Sequence, residues 1–328
     1  MRIGENPLKS NIQNLKHKQH RVILPFWIPN MEEDYFKNQH EVLKRCLDSL
    51  TATIDTETTN ITLINNNSCR AASEVAESFV AKGLIDKYVV RSENRGKLEP
   101  ILAESRAAYE DYITIADADF LFFEGWEYAM ARVFTDFPRA GVVTCYPCAN
   151  LAFKHNTQWV ATSPWRTGKV VAEEEMNLVD KGLGHAAGHG IYTGKGVRKK
   201  TSWSSMQYYL QKGDHRVCLG AVHALATMKR DIFQQLPILK IPFVFKNGYE
   251  ETYLDYFSDR LGYYRLSTTH CYAYHMGNTL PGDLPSRAAL PTGQVSFPAY
   301  KNRSFWLNWF NFTWINPLVR LMRRLKVV

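Results

Sequence analysis

From Arg21 to Phe120 the chain spells strand and helix in turn four times over, a rhythm that leaves few folds open. Arg21–Pro29 reads as a strand ending in a loop, and Asn60–Ser68 as a second strand ending in polar residues. Between them Glu32 to Leu50 has amphipathic helical spacing, with Phe36, Val42, Leu43, Cys46, Leu47 and Leu50 on the face to be buried. A helix is predicted for Ala71–Ala81, a short strand for Lys87–Arg91, a further helix for Leu98–Ala108, and then the alternating strand Tyr112-Ile113-Thr114-Ile115-Ala116. Such alternation predicts an α/β fold: a mostly parallel sheet with helices on both faces, and ligand groups collected at one edge of strand ends.

The fourth strand runs straight into Asp117-Ala118-Asp119. Side chains two apart on an extended segment point the same way, so the two carboxylates can converge where the strand ends. Converging carboxylates suit a hard divalent ion, Mg²⁺ or Mn²⁺, which completes its shell with water and the oxygens of a diphosphate. The same triplet also occurs as a solvated pair in loops, and by itself it leaves both readings open.

Taken in order, the segments resemble the inverting GT-A glycosyltransferases, in particular the large bacterial family 2 group associated with surface polysaccharides. The resemblance runs through Pro25, Asn65-Asn66-Asn67-Ser68, Asn94-Arg95-Gly96-Lys97 and Asp117-Ala118-Asp119, and then Gly248-Tyr249-Glu250-Glu251 with Gly262-Tyr263-Tyr264-Arg265-Leu266 behind it. It closes on Ala273-Tyr274-His275-Met276-Gly277, similar to the family's terminal His-x-Gly. It implies a nucleotide-sugar donor contacted by Pro25, Asn65, Asn94, Arg95, Lys97 and Asp117. It further implies Mn²⁺ or Mg²⁺ held by Asp119, by Asp117 through water or directly, and by His275. The acceptor would be a hydroxyl of a glycan or a lipid-linked sugar, and transfer would be inverting. Asn65 stands where many relatives place an acidic residue to read the base; an amide both donates and accepts, which favours a UDP-sugar while leaving GDP- and dTDP-sugars open.

Glu250 and Glu251 supply the base. Neighbours on a helix point about 100° apart, so both cannot face one reacting atom. Asn247-Gly248-Tyr249-Glu250 fits a capping box, which gives Glu250 a structural task or an acceptor contact. Glu251 is then the expected general base; it occupies the family's catalytic Asp position, one methylene longer. A sugar nucleotidyltransferase would instead want a glycine-rich phosphate loop at the first strand, and Leu24–Pro29 is not one. A non-catalytic protein binding membrane surfaces is the other alternative.

A formal charge of +8 calls for an anionic partner, but neither zinc-finger spacing nor an RNA-binding aromatic signature accompanies it, so nucleic acid is not expected. The charge gathers in residues 301–328, where Lys301, Arg303, Arg320, Arg323, Arg324 and Lys326 interleave with Phe305, Trp306, Trp309, Phe310, Phe312 and Trp314. Asn316-Pro317 reads as N-cap and first turn of an amphipathic helix with Leu318, Leu321, Met322 and Leu325 on one face. The composition is that of an interfacial anchor on an anionic membrane, or of a helix folded back on the domain or used as an oligomer interface. The expected plan is an extension (1–20), a catalytic domain (21–300) divided into a nucleotide-sugar half (21–148) and an acceptor half (149–300), and the tail (301–328). With no apolar run of about 18 residues and no leader-like segment, the expected place is the cytoplasm, peripheral on the inner face of the plasma membrane. Six scattered cysteines fit a reducing compartment, and Cys145-Tyr146-Pro147-Cys148 is weighed as a redox pair against core filling. The glycine-rich stretch around His185 and His189 reads as a lid or a mobile insertion, and Trp203, Tyr208, Tyr209, His215 and His223 as acceptor-lining groups or core.

Overall fold

The computed structural model describes residues 3–6, 17–186, 189–192, 203–237, 249–280, 282–287, 290–299 and 309–325. Its amino-terminal part is β1 (His20–Phe26), α1 (Gln39–Thr53), β2 (Thr59–Asn65), α2 (Arg70–Ala81), β3 (Lys87–Val90), α3 (Leu98–Ala107) and β4 (Tyr112–Ala116). These strands lie side by side in the order β3-β2-β1-β4, all parallel. Alternate residues feed two cores. Val22 and Leu24 pack with Leu43 and Leu47 of α1 and Phe79 of α2, while Ile23 packs with Ile101 of α3 and Phe233 on the other face. A strand covered on both sides has no polar face to keep, which is why Val22, Ile23 and Leu24 run together without alternation.

Further on come β5 (Phe120–Phe122), α4 (Trp126–Asp136), β6 (Ala140–Thr144), β7 (Arg166–Gly168), α5 (Glu173–Gly182), β8 (Gln207–Lys212), β9 (His215–Leu219), β10 (Leu225–Lys229), α6 (Arg230–Gln235), α7 (Tyr256–Arg260), β11 (Tyr264–Ser267), β12 (Ala273–His275) and α8 (Asn316–Arg324). The sheet continues past β4 as β10-β6-β11-β9-β8-β7, with β10, β9 and β7 running against the rest. The expected α/β sheet is therefore present, parallel in its first part and mixed in its second. β5 leaves the main sheet and pairs antiparallel with β12, setting His275 opposite Phe120.

Three local expectations change. The first helix starts at Gln39 rather than Glu32: residues 31–38 form turns, in which Asn30 Oδ1 accepts the amides of Glu32 (3.2 Å) and Glu33 (3.0 Å) and Phe36 meets the edge of Trp27. Asp117 and Asp119 lie in the turn between β4 and β5, not on one continuous strand. Asn316 is no N-cap, because the chain is already helical from Trp309 and widens to a π-turn at Asn311–Ile315 just before Pro317. Proline cannot donate to the preceding turn and its ring crowds the carbonyl four residues back, and a wider turn relieves that clash. Asn247 and Gly248 of the expected capping box, residues 301–308, and residues 187–188 and 193–196 of the glycine-rich stretch lie outside the described residues.

Candidate active site

The carboxyl ends of β1, β2 and β4 open on a cavity of about 400 Å³ whose walls include Pro25, Trp27, Asn66, Lys97, Asp117, Asp119 and Glu250. Parallel strands ending together create this edge. Asp117 stays tied to the sheet margin through its amide, which donates to the Ala224 carbonyl at 2.8 Å. Its carboxylate pairs with the Lys97 ammonium, delivered from the start of α3. Burial lifts the Asp117 carboxyl above its ordinary value, with Asp119 adding to the rise and Lys97 opposing it. Burial also works against the Lys97 charge, but the carboxylates around it, Asp117 first, hold its pKa above the usual value. Lys97 is thus a charged cation on the cavity wall.

Asp119 faces His275, with Oδ2 3.2 Å from Nε2. The antiparallel β5–β12 ribbon makes this contact, and Met276 N donates to the Asp119 carbonyl at 2.8 Å to lock the register. His275 Nδ1 donates to the Gly182 carbonyl at 2.8 Å, which leaves Nε2 as the atom aimed at Asp119. Burial works to lower the His275 pKa, but the Asp119 hydrogen bond and charge and the Gly182 carbonyl bring it up to about 9. Residue 182 has to be small, since a Cβ there would stand 3.0 Å from the His275 carbonyl oxygen. Asp119 Oδ1 is buried with no hydrogen-bond partner among the described residues. With Nδ1 held by Gly182, displacement of the Nε2 proton would free that nitrogen, which with the orphaned Asp119 oxygen would make a two-donor set for a divalent cation. No group of three His, Cys, Asp or Glu that could hold an ion occurs among the described residues, so water and a ligand's oxygens would have to supply the remaining donors.

The donor-side loops are braced by amides. Asn66 Nδ2 donates to Asn94 Oδ1 (2.7 Å) and to the Gly96 carbonyl (3.0 Å), and Gly96 N donates back to Asn94 Oδ1 at 2.9 Å. Gly96 takes φ +77°, a left-handed turn that lets Lys97 swing into the cavity. Asn65, expected to read the base, is buried and spent elsewhere: it donates to Ser73 and Tyr88 and accepts from Ser68 N. Its neighbour Asn66 lines the cavity instead. Arg95 turns to Glu93.

The two glutamates part company. Glu250 lines the cavity with Asp117 and Asp119, near enough to Lys97 for its charge to act on that ammonium. Glu251 accepts from Lys154 Nζ at 2.7 Å and His155 Nε2 at 2.8 Å. Burial would raise its carboxyl, but these two partners hold it below the usual range. His155 makes its contact from a left-handed backbone (φ +49°), a strained setting for a side chain with a Cβ. One turn further, the π-turn Glu251–Asp255 brings in Asp255, whose oxygens take Arg265 Nη1 (2.6 Å) and His223 Nδ1 (2.9 Å). His223 stands close enough for its charge to act on Asp117.

A family model described as glycosyl transferase family 2 matches residues 35–236. The chain belongs to that family. Two solved structures align with this family 2 protein: the mannosyltransferase PcManGT from Pyrobaculum calidifontis in complex with GDP-Man and Mn²⁺, and TarS from S. aureus. The first is 15% identical over 68% of this chain and 48% of the other, with a TM-score of 0.38. The second is 16% identical over 40% of this chain and 22% of the other, with a TM-score of 0.32. The chain thus spans less than half the length of either. No curated protein matches the sequence.

Family 2 membership agrees with the α/β sheet described above. The matched span takes in the Asn66 and Asn94 loops and both aspartates but stops short of Glu250, Glu251 and His275. Cys145 and Cys148 are both buried and unpaired, and burial pushes both thiols far up, which suits core filling and not redox exchange. Tyr208 packs among Phe153, Trp159 and Trp165, and His215 binds Asp136, both away from the cavity. Asn66 and Arg265 stood in the sequence motifs without a site role of their own, and Asp255 escaped the sequence reading. An i+5 relation such as Glu250 to Asp255 becomes a shared face only once a π-turn is known to be there.

Proposed function

We propose that the cleft moves a sugar from a nucleoside-diphosphate donor, with UDP-sugars preferred, to a hydroxyl of a glycan or lipid-linked acceptor, inverting the anomeric centre, at the cytoplasmic face of a membrane. One observation carries the reading: a single cavity is lined by Asp117, Asp119 and Lys97 and also by Glu250. Transfer needs the departing diphosphate stabilised and the acceptor oxygen relieved of its proton, and those two groups answer the two needs.

On the donor side Lys97 meets phosphate charge directly, exchanging Asp117 for the ligand's oxygens. Asn66, holding Asn94 and Gly96, sets the shape of the loop that presents it. Asp119 and His275 would hold Mn²⁺ or Mg²⁺, with Asp117 reaching it through water. When bound, such an ion supplies Lewis-acid neutralisation of the leaving diphosphate. On the acceptor side Glu250 takes the hydroxyl proton. This replaces the expectation that Glu251 is the base, because a carboxylate already accepting from Lys154 and His155 and held below its usual pKa has little affinity left for a proton. Glu251 instead fixes the start of the helix that presents Glu250. A base in the same cavity as the donor-binding groups favours single displacement, hence inversion.

Calorimetric titration with UDP, GDP and dTDP, each with Mn²⁺ and with EDTA, tests the donor side, and turnover of a nucleotide-sugar panel tests the reaction. UDP is expected to bind most tightly and EDTA to weaken it. Equal, metal-independent binding of all three nucleotides sinks both the UDP preference and the cation.

A further inference from the structure

The helix that runs from Trp309 to Arg324, capped by Leu325, is docked on the domain by one side only. Asn311, Asn316 and Val319 are buried. The Asn316 amide donates to Thr157 Oγ1 and to Asp259 Oδ2, both at 3.1 Å. Arg260 lies over the Phe312 ring at 4.9 Å, and Arg320 over Tyr256 at 5.6 Å. Tyr256 in turn meets the His155 that holds Glu251. The inward side of this helix is therefore largely polar and is fastened beside the glutamate-bearing segment.

Its other side carries the apolar residues. Phe310, Trp314, Leu318, Leu321 and Leu325 recur at spacings of four, four, three and four, which places them in one stripe along a helix. They are 48, 62, 53, 52 and 63% exposed, so about half or more of each faces outward. A contiguous apolar stripe of this size turned to water marks an interaction surface. Arg320 and Arg324 are exposed on the same helix, and residues 301–328 contain no Asp or Glu.

We propose that this stripe is the surface by which the protein lies on an anionic phospholipid bilayer, its helix in the interfacial plane, rings and leucines at headgroup depth, arginines at lipid phosphates. Charge selects the bilayer over a second copy of the chain: two stripes face to face would bring like arginines together with no carboxylate from the helix to meet them. The consequence for catalysis depends on the cleft being a glycosyltransferase site. A lipid-linked acceptor in that membrane would then approach from the side of the Glu250 and Glu251 helix, against which the docked helix rests.

The test is co-sedimentation of the full chain with vesicles of phosphatidylcholine alone and of phosphatidylcholine with phosphatidylglycerol, beside donor hydrolysis in free solution. The wild type should bind only the anionic vesicles and leave them at high salt. Trp314→Ser with Leu318→Ser, both at exposed positions, should weaken vesicle binding by about a hundredfold or more, from the apolar area lost. Arg324→Gln should weaken it by about fivefold. Both variants should hydrolyse donor at the wild-type rate; a parallel loss of hydrolysis in them overturns the separation of surface from cleft. Failure of the wild type to bind anionic vesicles, or a double-serine variant that sediments like wild type, overturns the proposal. So does a concentration-dependent dimer that the double-serine variant abolishes without any vesicle binding, since the occupant is then a second copy.

Discussion

The first four strands and the rest of the chain build the same cleft by opposite means. In the first part, Pro25, Asn66, Lys97, Asp117 and Asp119 come from the ends of neighbouring parallel strands and the loops that follow them, and the topology alone brings them to one edge. From the rest of the chain, Glu250 comes from the π-turn helix, while His223, on Asp255, and His275, on Asp119, come from a loop before an antiparallel strand and from a two-stranded ribbon, each placed by contacts distant in sequence. A parallel βα array offers ligand groups at one edge automatically, whereas a mixed sheet does so only where specific packing arranges it.

The largest effect that would break this comparison lies on the donor wall. Asp119→Ala is expected to lower turnover by about a thousandfold or more, the scale of losing a preorganised stabiliser of developing charge, with the circular dichroism of the wild type retained. Turnover near wild type would shift the stabilisation to Lys97 alone. Next, Glu250→Gln should lower kcat by about 10²- to 10⁴-fold and Glu251→Gln by less than about tenfold. The reverse order would return the base to Glu251 and leave Glu250 a wall residue.

The acceptor side has a stability signature of its own. Arg265→Met removes the buried partner of Asp255 and leaves that carboxylate with only His223, so urea unfolding should show a loss of about 3–5 kcal/mol. A loss under about 1 kcal/mol would mean that water reaches the network. The smallest effect concerns pH. Burial would raise the Glu175 carboxyl, but His270, the Cys271 amide and Arg287 together hold it down to about 2. A folded-state pKa below the unfolded one adds stability that is complete above the unfolded value of 4.5 and lost as pH falls through about 2. Glu175 anchors α5, whose last residue, Gly182, holds His275. Acid titration of Glu175→Gln should therefore show a shallower stability loss in that window, by at most about 3 kcal/mol; a curve superimposable on wild type would uncouple α5 from this ion cluster.

These differences track what a linear reading reaches. The α/β order, the buried strands Val22–Leu24 and Tyr112–Ala116, and the Asp117, Asp119 and Lys97 group were legible because each depends on local period or on a motif at a strand end. Asn65 and Asn66 were not separable. A single residue of register decides which amide seals against Ser73 and Tyr88 and which lines the cavity. The same holds for Glu250 and Glu251, adjacent on one helix, where the partners that occupy one of them, Lys154 and His155, come from a loop nearly a hundred residues earlier. In the last helix the apolar stripe was largely visible in the sequence, but its direction was not.

Composition and periodicity determined the α/β class, the strand-end carboxylates and a basic amphipathic terminus, because hydrophobic pattern and charge act over a few residues. Tertiary structure decided which carboxylate faces the cleft, which histidine meets Asp119 and which face of the last helix is left outward. Those are questions of what each side chain packs against, and its neighbours there are brought together only by folding.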